Sequence, residues 1–425
     1  MNAQPAVAQA SPAAVAYLRS PKAIRERCGQ VFAAAEAGRT PHFALDLKRL
    51  PMVADYVIAT IRGNHPDFDI PYHSRWRHFT AGSVDRWKAL AATRKGMLPI
   101  DLARMAIDLV VPSVLLDAGA GADWKWREPG LAPGSAAATG KVYARSEGLA
   151  LASLELFRRG TLSDQEDDPY RSDAATLSQL ATADVGSAFQ VSDSNPLVGL
   201  EDRVDLLRRL GASLIANPTL FGVLEPRPGR LADAALAASR EGRIAAATLF
   251  WMVMQMLGPV WPRRVALRGI SLGDVGRHPA ATATDATAGL VPFHKLSQWM
   301  TYSLLEPLEA LGLTIDGLDQ LTGLPEYRNG GLFIDLGVLV PKHAAVLGQP
   351  QAATSEVVVE WRALTVCLLD RVADAVRRTL GRNAVQMPLA KVLEGGTWAA
   401  GRQIARDRRP AGGPPIEVIS DGTIF

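Results

Sequence analysis

The 425-residue sequence predicts a mainly α, multi-helical globular fold with few short strands. Apolar residues recur three and four positions apart through several long stretches, the period of a helix that buries one face. Alternation at every second residue, the mark of a half-buried strand, is scarce. Serine-proline pairs at Ser11-Pro12 and Ser20-Pro21 add two start signals. Each serine can cap a helix whose first-turn proline lacks an N–H that would have gone unpaired anyway.

Two helices are expected from those pairs, the second ending near Gly38. The periodic stretches that follow are Leu47 to Ile61, Asp101 to Leu109, Gly148 to Arg158, Leu200 to Ile215, Leu231 to Leu257, Lys295 to Leu311 and Thr354 to Leu380. The strand candidates are Gly331 to Val340 (GLFIDLGVLV) and the tail Pro415 to Phe425 (PIEVISDGTIF). Residues 1–10 are expected to be a disordered N-terminus. The polar, acidic run Thr161 to Arg171 (TLSDQEDDPYR) is expected to separate an N-terminal helical subdomain, 11–165, from a C-terminal one, 172–425, that carries the catalytic segments. No repeat at a fixed period is present.

With 48% hydrophobic and 21% charged residues, the chain can bury a large core. Cys28 and Cys367 are too few for a disulfide framework, and no basic residue precedes the alanine-rich N-terminal segment, so a cytoplasmic protein is expected. The 46 basic and 43 acidic residues are interspersed, which argues against nucleic acid as a partner. Ala245 to Trp261 (AAATLFWMVMQMLGPVW) comes nearest to a membrane segment. Gly258-Pro259 interrupts it short of the ~20 residues a span requires, so a buried helix is expected and no membrane partner.

Val114 to Trp126 (VLLDAGAGADWKW) looks at first like the strand and glycine loop of a nucleotide site. Its neighbours argue otherwise. Leu102, Met105, Ala106, Leu109 and Val110 have helical spacing, a polar aromatic loop follows Gly121, and no succession of β-α units comes after. The glycines read as a sharp turn that Asp117 caps or hydrogen-bonds.

Three segments concentrate chemistry. In Ile70 to Phe79 (IPYHSRWRHF), Arg75 and Arg77 could grip a phosphate or carboxylate with their forked donors. His73 and His78, five apart, would leave a helix on different faces, which weakens a metal reading; a surface turn with packed aromatics is the plain alternative. In VPFHKLSQWMTYSLLEPLE, a helix from near Phe293 would turn His294, Gln298 and Thr301 or Tyr302 to one side, beside Lys295 and Trp299, as a pocket wall or a solvated face. In LPEYRNGGLFIDLGVLVPK, Glu326 and Asp335 are carboxylates across a glycine turn, with Arg328 near enough to keep one ionised. Asn329-Gly330 equally makes an ordinary hairpin turn. Glu147, Arg227, Arg230, Asp274, Glu360 and Arg362 are lesser candidates, each as easily a cap or a surface charge.

Taken in order, PYHSRWRHF, SVLLDAGAG with its following tryptophan, RSEGLALASL, FHKLSQWMTYSLLEPLE, LTGLPEYRNGGLFIDLGVL, EWRALTV, LEGGTWAAGR and the ending SDGTIF resemble the uracil-catabolism family of fungi and bacteria, formerly known only as a domain of unknown function. The likeness runs from about Pro41 to Phe425. SLGDVGRHP departs from it, with Gly276 where the family has an aromatic. The resemblance implies a place in a route that converts uracil to its ribonucleotide, opens the ring and dismantles a ribosylurea-type intermediate. The implied step is cleavage between phosphoribose and urea. FHKLSQWMTYS and LPEYRNGG are also faintly similar to the acid-bearing segments of the queuosine-salvage nucleoside hydrolases, which implies a DNA-glycosylase-like, helix-hairpin-helix related core. There the first acid's place falls near Ser303, and the second is Glu326 rather than an aspartate.

Hydrolysing an N-ribosidic bond needs an ionised carboxylate near the sugar C1 and a base for water. Residue types and resemblance together give Glu326, Asp335 and His294 to catalysis. Substrate contacts are expected from His73, Arg75, Arg77, His78, Asp117, Trp124, Lys295, Gln298, Trp299, Tyr327, Arg328 and Asn329. Among these the arginines take the 5′-phosphate, and His294, Gln298 or His73 takes the urea leaving group; Trp76 or Trp299 excludes water. This mechanism requires no cofactor and no metal. Two alternatives stand beside it: a metal-dependent amidohydrolase with zinc or iron on His73 and His78, and a non-catalytic nucleotide-binding partner of the ring-opening enzyme. The expected partner is a small phosphoribosyl substrate, with a homo-oligomer left open.

Overall fold

Helices carry most of the backbone in a computed structural model that describes residues 11–129, 140–261 and 265–419. The fold is mainly α, as expected. Its strands are two or three residues long and pair only two at a time, too short to form a layer of their own. The expected disorder of residues 1–10 and the last residues of the tail candidate, 420–425, lie outside the described residues.

The chain divides into two units, each assembled from separated stretches. The first takes in 11–73, 265–298 and 317–419; the second takes in 74–129, 140–261 and 299–316, so the run Thr161 to Arg171 lies inside it.

In the first unit, Ser11 and Ser20 cap Pro12–Leu18 and Pro21–Glu36 by accepting from Ala14 N–H and Ala23 N–H. The 25-residue helix Glu356–Leu380, capped by Ser355 and closed by a left-handed Gly381, is the spine. Pro21–Glu36, Leu50–Asn64 and Tyr327–Asp335 all pack on it. Glu360 and Arg362 of this helix are not surface charges. Glu360 is fully buried and accepts from Phe43 N–H at 2.8 Å and from His278 Nε2 at 3.3 Å, pinning the strand Phe43–Leu45, which pairs antiparallel with Leu339–Pro341. Arg362 clasps Asp274 with two bonds of 2.8 and 2.7 Å. Where the resemblance implies an aromatic, a Cβ on Gly276 would already meet Val359 at 2.5 Å, so Val359 and Phe293 fill that space.

The expected strand Gly331 to Val340 is corrected by this unit. Tyr327–Asp335 is a helix, and only Leu339–Pro341 is extended. Asn329-Gly330 is accordingly helical and not a hairpin turn.

In the second unit, Pro99–Leu115 is buried along almost its whole length and packs on Arg145–Arg158. It runs through Val114 and Leu115, so the glycines that follow leave a helix and not a strand. Leu200–Ile215 forms where its periodicity predicts. The stretch Leu231 to Leu257 is not one helix. Leu231–Ala238 ends, Glu241 and Gly242 turn the chain with φ of 51° and 72°, and Arg243–Ala245 pairs parallel with Thr314–Asp316 before Ala246–Leu257 begins. Left-handed backbone at two consecutive positions cannot continue an α-helix. Ala246–Leu257 is a largely buried helix, and no helix among the described residues is long and apolar enough to cross a membrane.

Candidate functional site

The first turn of Tyr327–Asp335 sets the geometry of a cluster in the first unit. Glu326, in extended backbone, caps the helix: its carboxylate accepts from Arg328 N–H at 2.9 Å and Asn329 N–H at 2.6 Å. The next residues are thereby fixed. The Arg328 guanidinium lies 4.3 Å over the Trp398 ring and 5.0 Å over that of Tyr327, and it makes no ion pair among the described residues.

Asn329 is fully buried; its Nδ2 donates to the Leu324 carbonyl at 3.1 Å, and its Oδ1 has no partner among the described residues. Gly330 lets the helix approach Trp361 so closely that a Cβ would stand 2.7 Å from the indole Cε2 and Nε1. Trp361 is 2% exposed, and its N–H is likewise unpaired. Gln298, fully buried, donates through Nε2 to Thr322 Oγ1 at 3.1 Å, two residues before Leu324, and its Oε1 is also unpaired.

An unsatisfied buried polar group costs about 1–3 kcal/mol, and native proteins keep few. A neutral planar group with N–H donors and a carbonyl would supply partners for two amide oxygens and one indole N–H.

His73 joins the same cluster. Its backbone N–H donates to the Ala390 carbonyl at 3.0 Å, its Nδ1 lies 2.5 Å from Glu394 Oε2, and its ring is 5.6 Å from that of Trp398. The carboxylate selects the Nδ1–H tautomer, leaving Nε2 as the basic nitrogen. Among the described residues nothing hydrogen-bonds Nε2. Glu394 sits in a π-helical turn, Leu393–Thr397, a widening of the helix that is frequent at functional sites.

The other carboxylate and histidine expected to act chemically are tied up. Asp335 is held by two bonds from Arg409, 2.7 and 2.6 Å. His294 has a φ of 47° and is buried against the Leu18 carbonyl at 2.8 Å; burial lowers its pKa, which favours neutral imidazole. Lys295 N–H donates to Asp274 Oδ2 at 3.0 Å. Burial pushes the Asp274 carboxyl up, but Arg362 outweighs it and holds the carboxyl at about 2.

The second unit gathers a different set. Arg75 is fully buried, with Nε on Ser113 Oγ at 2.7 Å, Nη1 on the Ser146 carbonyl at 3.2 Å and on Asp117 Oδ2 at 3.0 Å, and the guanidinium 5.8 Å over Trp299. Burial lowers its pKa and Asp117 opposes that. Asp117 thus serves Arg75, while His78 meets Trp299 edge-on at 5.9 Å. Arg77 Nη2 binds both oxygens of Glu306. Trp124 is a core residue, fully buried, its N–H on the Phe189 carbonyl at 3.0 Å.

So His73, Gln298, Tyr327, Arg328 and Asn329 fall in one unit, and Arg75, Arg77, His78, Asp117, Trp124 and Trp299 in the other. The two histidines weighed for a metal are split between them. No group of three or more His, Cys, Asp or Glu that could hold a metal occurs among the described residues. Glu394, Trp361 and Trp398, which lie in this cluster, were not foreseen as candidates. The signal was present in LEGGTWAAGR and EWRALTV, where an acid or an indole sits beside glycines or inside a long buried helix.

Residues 17–425 match the family described as "Protein of unknown function (DUF1688)". The chain is similar to "Uracil catabolism protein 4" of Lachancea kluyveri, 39% identical over 97% of this chain and 99% of the relative. It is similar also to "Protein urg3" of Schizosaccharomyces pombe (strain 972 / ATCC 24843), 37% identical over 97% of this chain and 99% of the relative. With a match that spans almost every residue and includes each segment of the cluster, the chain belongs to the DUF1688 family.

Proposed function

We propose that this protein acts in uracil catabolism by hydrolysing the N-ribosidic bond of a ring-opened uracil ribonucleotide, phosphoribosylurea being the simplest, to release urea. The name of the Lachancea kluyveri relative supports the pathway. The observation that carries the reaction is the set of three buried groups unpaired among the described residues, Gln298 Oε1, Asn329 Oδ1 and Trp361 Nε1. A ureide supplies what they lack, N–H for the two amide oxygens and a carbonyl for the indole N–H. Arg328, its guanidinium 4.3 Å over the Trp398 ring and without an acidic partner among the described residues, takes the phosphate.

In this reading, His73 Nε2 removes a proton from the attacking water while Glu394 stabilises the imidazolium through Nδ1–H. Oxygen bonds to C1 of the ribose, the C1–N bond breaks, and its electron pair goes to the urea nitrogen, which takes a proton from solvent while His73 gives its own back to solvent. The products are ribose 5-phosphate and urea. Trp361 N–H, aimed at the ureido oxygen, helps carry the charge that develops on the leaving group. Glu326 and Asp335 are positioning residues here, one holding the helix that bears Arg328 and Asn329, the other holding Arg409.

Urea release from phosphoribosylurea tests it. His73→Gln and Glu394→Gln should each lower kcat by about a hundredfold or more, the usual worth of a general base, with unchanged melting. If both variants release urea at the wild-type rate, the reading is wrong.

A further inference from the structure

The second unit contains a cavity of about 430 Å3, within the size range of small-molecule sites. One wall is aromatic: Trp76 and Trp87, with ring centroids 5.2 Å apart and planes inclined by 56°. The Trp76 N–H is already spent on the Ser303 carbonyl at 2.8 Å, so that indole presents no unpaired donor. Leu102 and Ala106, one turn apart on Pro99–Leu115, form another wall.

The polar end is Arg77 and Glu306. Arg77 binds both carboxylate oxygens through Nη2 alone, at 2.9 and 2.7 Å, and its Nε has no partner among the described residues. Ser74 Oγ adds a longer bond of 3.3 Å to one oxygen. The pair is electrically balanced and Asp85 also lines the cavity, so nothing there draws an anion. It does place guanidinium N–H donors beside carboxylate acceptors, the complement of a C=O next to an N–H.

We propose that this cavity binds a neutral, planar heterocyclic lactam, its ring against Trp76 and Trp87 and its N–H/C=O edge on Glu306 and Arg77. The site owes nothing to the ureide reading of the first unit.

Isothermal titration of the full-length protein with 2-quinolone tests it. The wild type should bind one equivalent. 1-Methyl-2-quinolone, which lacks the N–H, should bind at least tenfold more weakly, since a hydrogen bond to a charged group is at stake. Trp87→Ala and Ala310→Trp should each weaken 2-quinolone by tenfold or more, whereas Asn329→Leu, in the first unit, should not change it. Ala310 lines the cavity from an exposed position, so its variant decides the matter should Trp87→Ala melt early. No binding by the wild type, equal binding of the two quinolones, or full binding by a folded Ala310→Trp overturns the proposal.

Discussion

Gly330→Ala sets two known effects against each other. In a helix interior, alanine is favoured over glycine by about 1 kcal/mol. The added Cβ, however, would stand 2.7 Å from Trp361 Cε2 and Nε1 and 2.9 Å from Cζ2. Contacts under 3 Å force something to move, and the obstacle is a rigid indole buried to 2% exposure. Overpacking of that kind costs about 1–3 kcal/mol, so the net change is a loss of roughly 0–2 kcal/mol. In a unit of this size that is a fall in Tm of a few degrees, at about 2–4 °C per kcal/mol.

Gly29→Ala, in Pro21–Glu36 with nothing within 4 Å of its added Cβ, is the matched control. It should gain up to about 1 kcal/mol. The displaced indole also carries the N–H that the proposal aims at the ureido carbonyl, so Gly330→Ala should raise the KM for phosphoribosylurea severalfold. Thermal melts of both variants and a KM measurement check this. Should Gly330→Ala stabilise as much as Gly29→Ala and leave KM untouched, the indole is not pinned where the argument needs it.

Glu326→Ala removes an N-cap that accepts two backbone N–H groups and should cost about 1 kcal/mol, while Glu326→Gln, which keeps an acceptor oxygen, should lose less stability and retain most of its urea release. Arg328→Met should cut kcat/KM for phosphoribosylurea at least tenfold yet leave ribosylurea without its phosphate nearly unaffected; equal losses on both substrates would remove the phosphate role. Asp108 is fully buried between Arg227 and Gly229 N–H, and its burial, against both partners, pushes its pKa up to about 7. A carboxyl raised on folding means that the native state holds a proton the unfolded state gives up, so stability falls as pH rises from about 4 toward 7. Asp108→Asn should flatten that slope, read as melting temperature against pH; parallel curves for the two proteins would refute it.

Local signals were legible in the sequence where local physics decides. Ser11 and Ser20 cap the helices predicted from them, and Leu200–Ile215 follows its apolar spacing to the residue. Gly331 to Val340 misled because Leu332, Phe333, Ile334 and Leu336 suit a strand as well as a helix. What decides is Glu326 capping the first turn and Trp361 receiving Gly330, the second a contact 31 positions distant that no local window contains. Glu360, Asp274 and Arg362 could be taken for caps or surface charges for the same reason: their partners are remote in sequence.

The candidate cluster was half visible. His73, Gln298, Arg328 and Asn329 stood out by residue type, but Glu394 became meaningful only once its turn was seen beside His73. The division into two units could not be read from composition, since each is stitched from stretches that the other interrupts.

The most direct measurement follows the ureido carbon. Phosphoribosylurea labelled with carbon-13 at that position, incubated with the full-length protein and observed by NMR, should yield intact labelled urea together with ribose 5-phosphate. Label appearing instead as bicarbonate, with release of ammonia, or remaining wholly in the substrate, would contradict cleavage of the N-ribosidic bond.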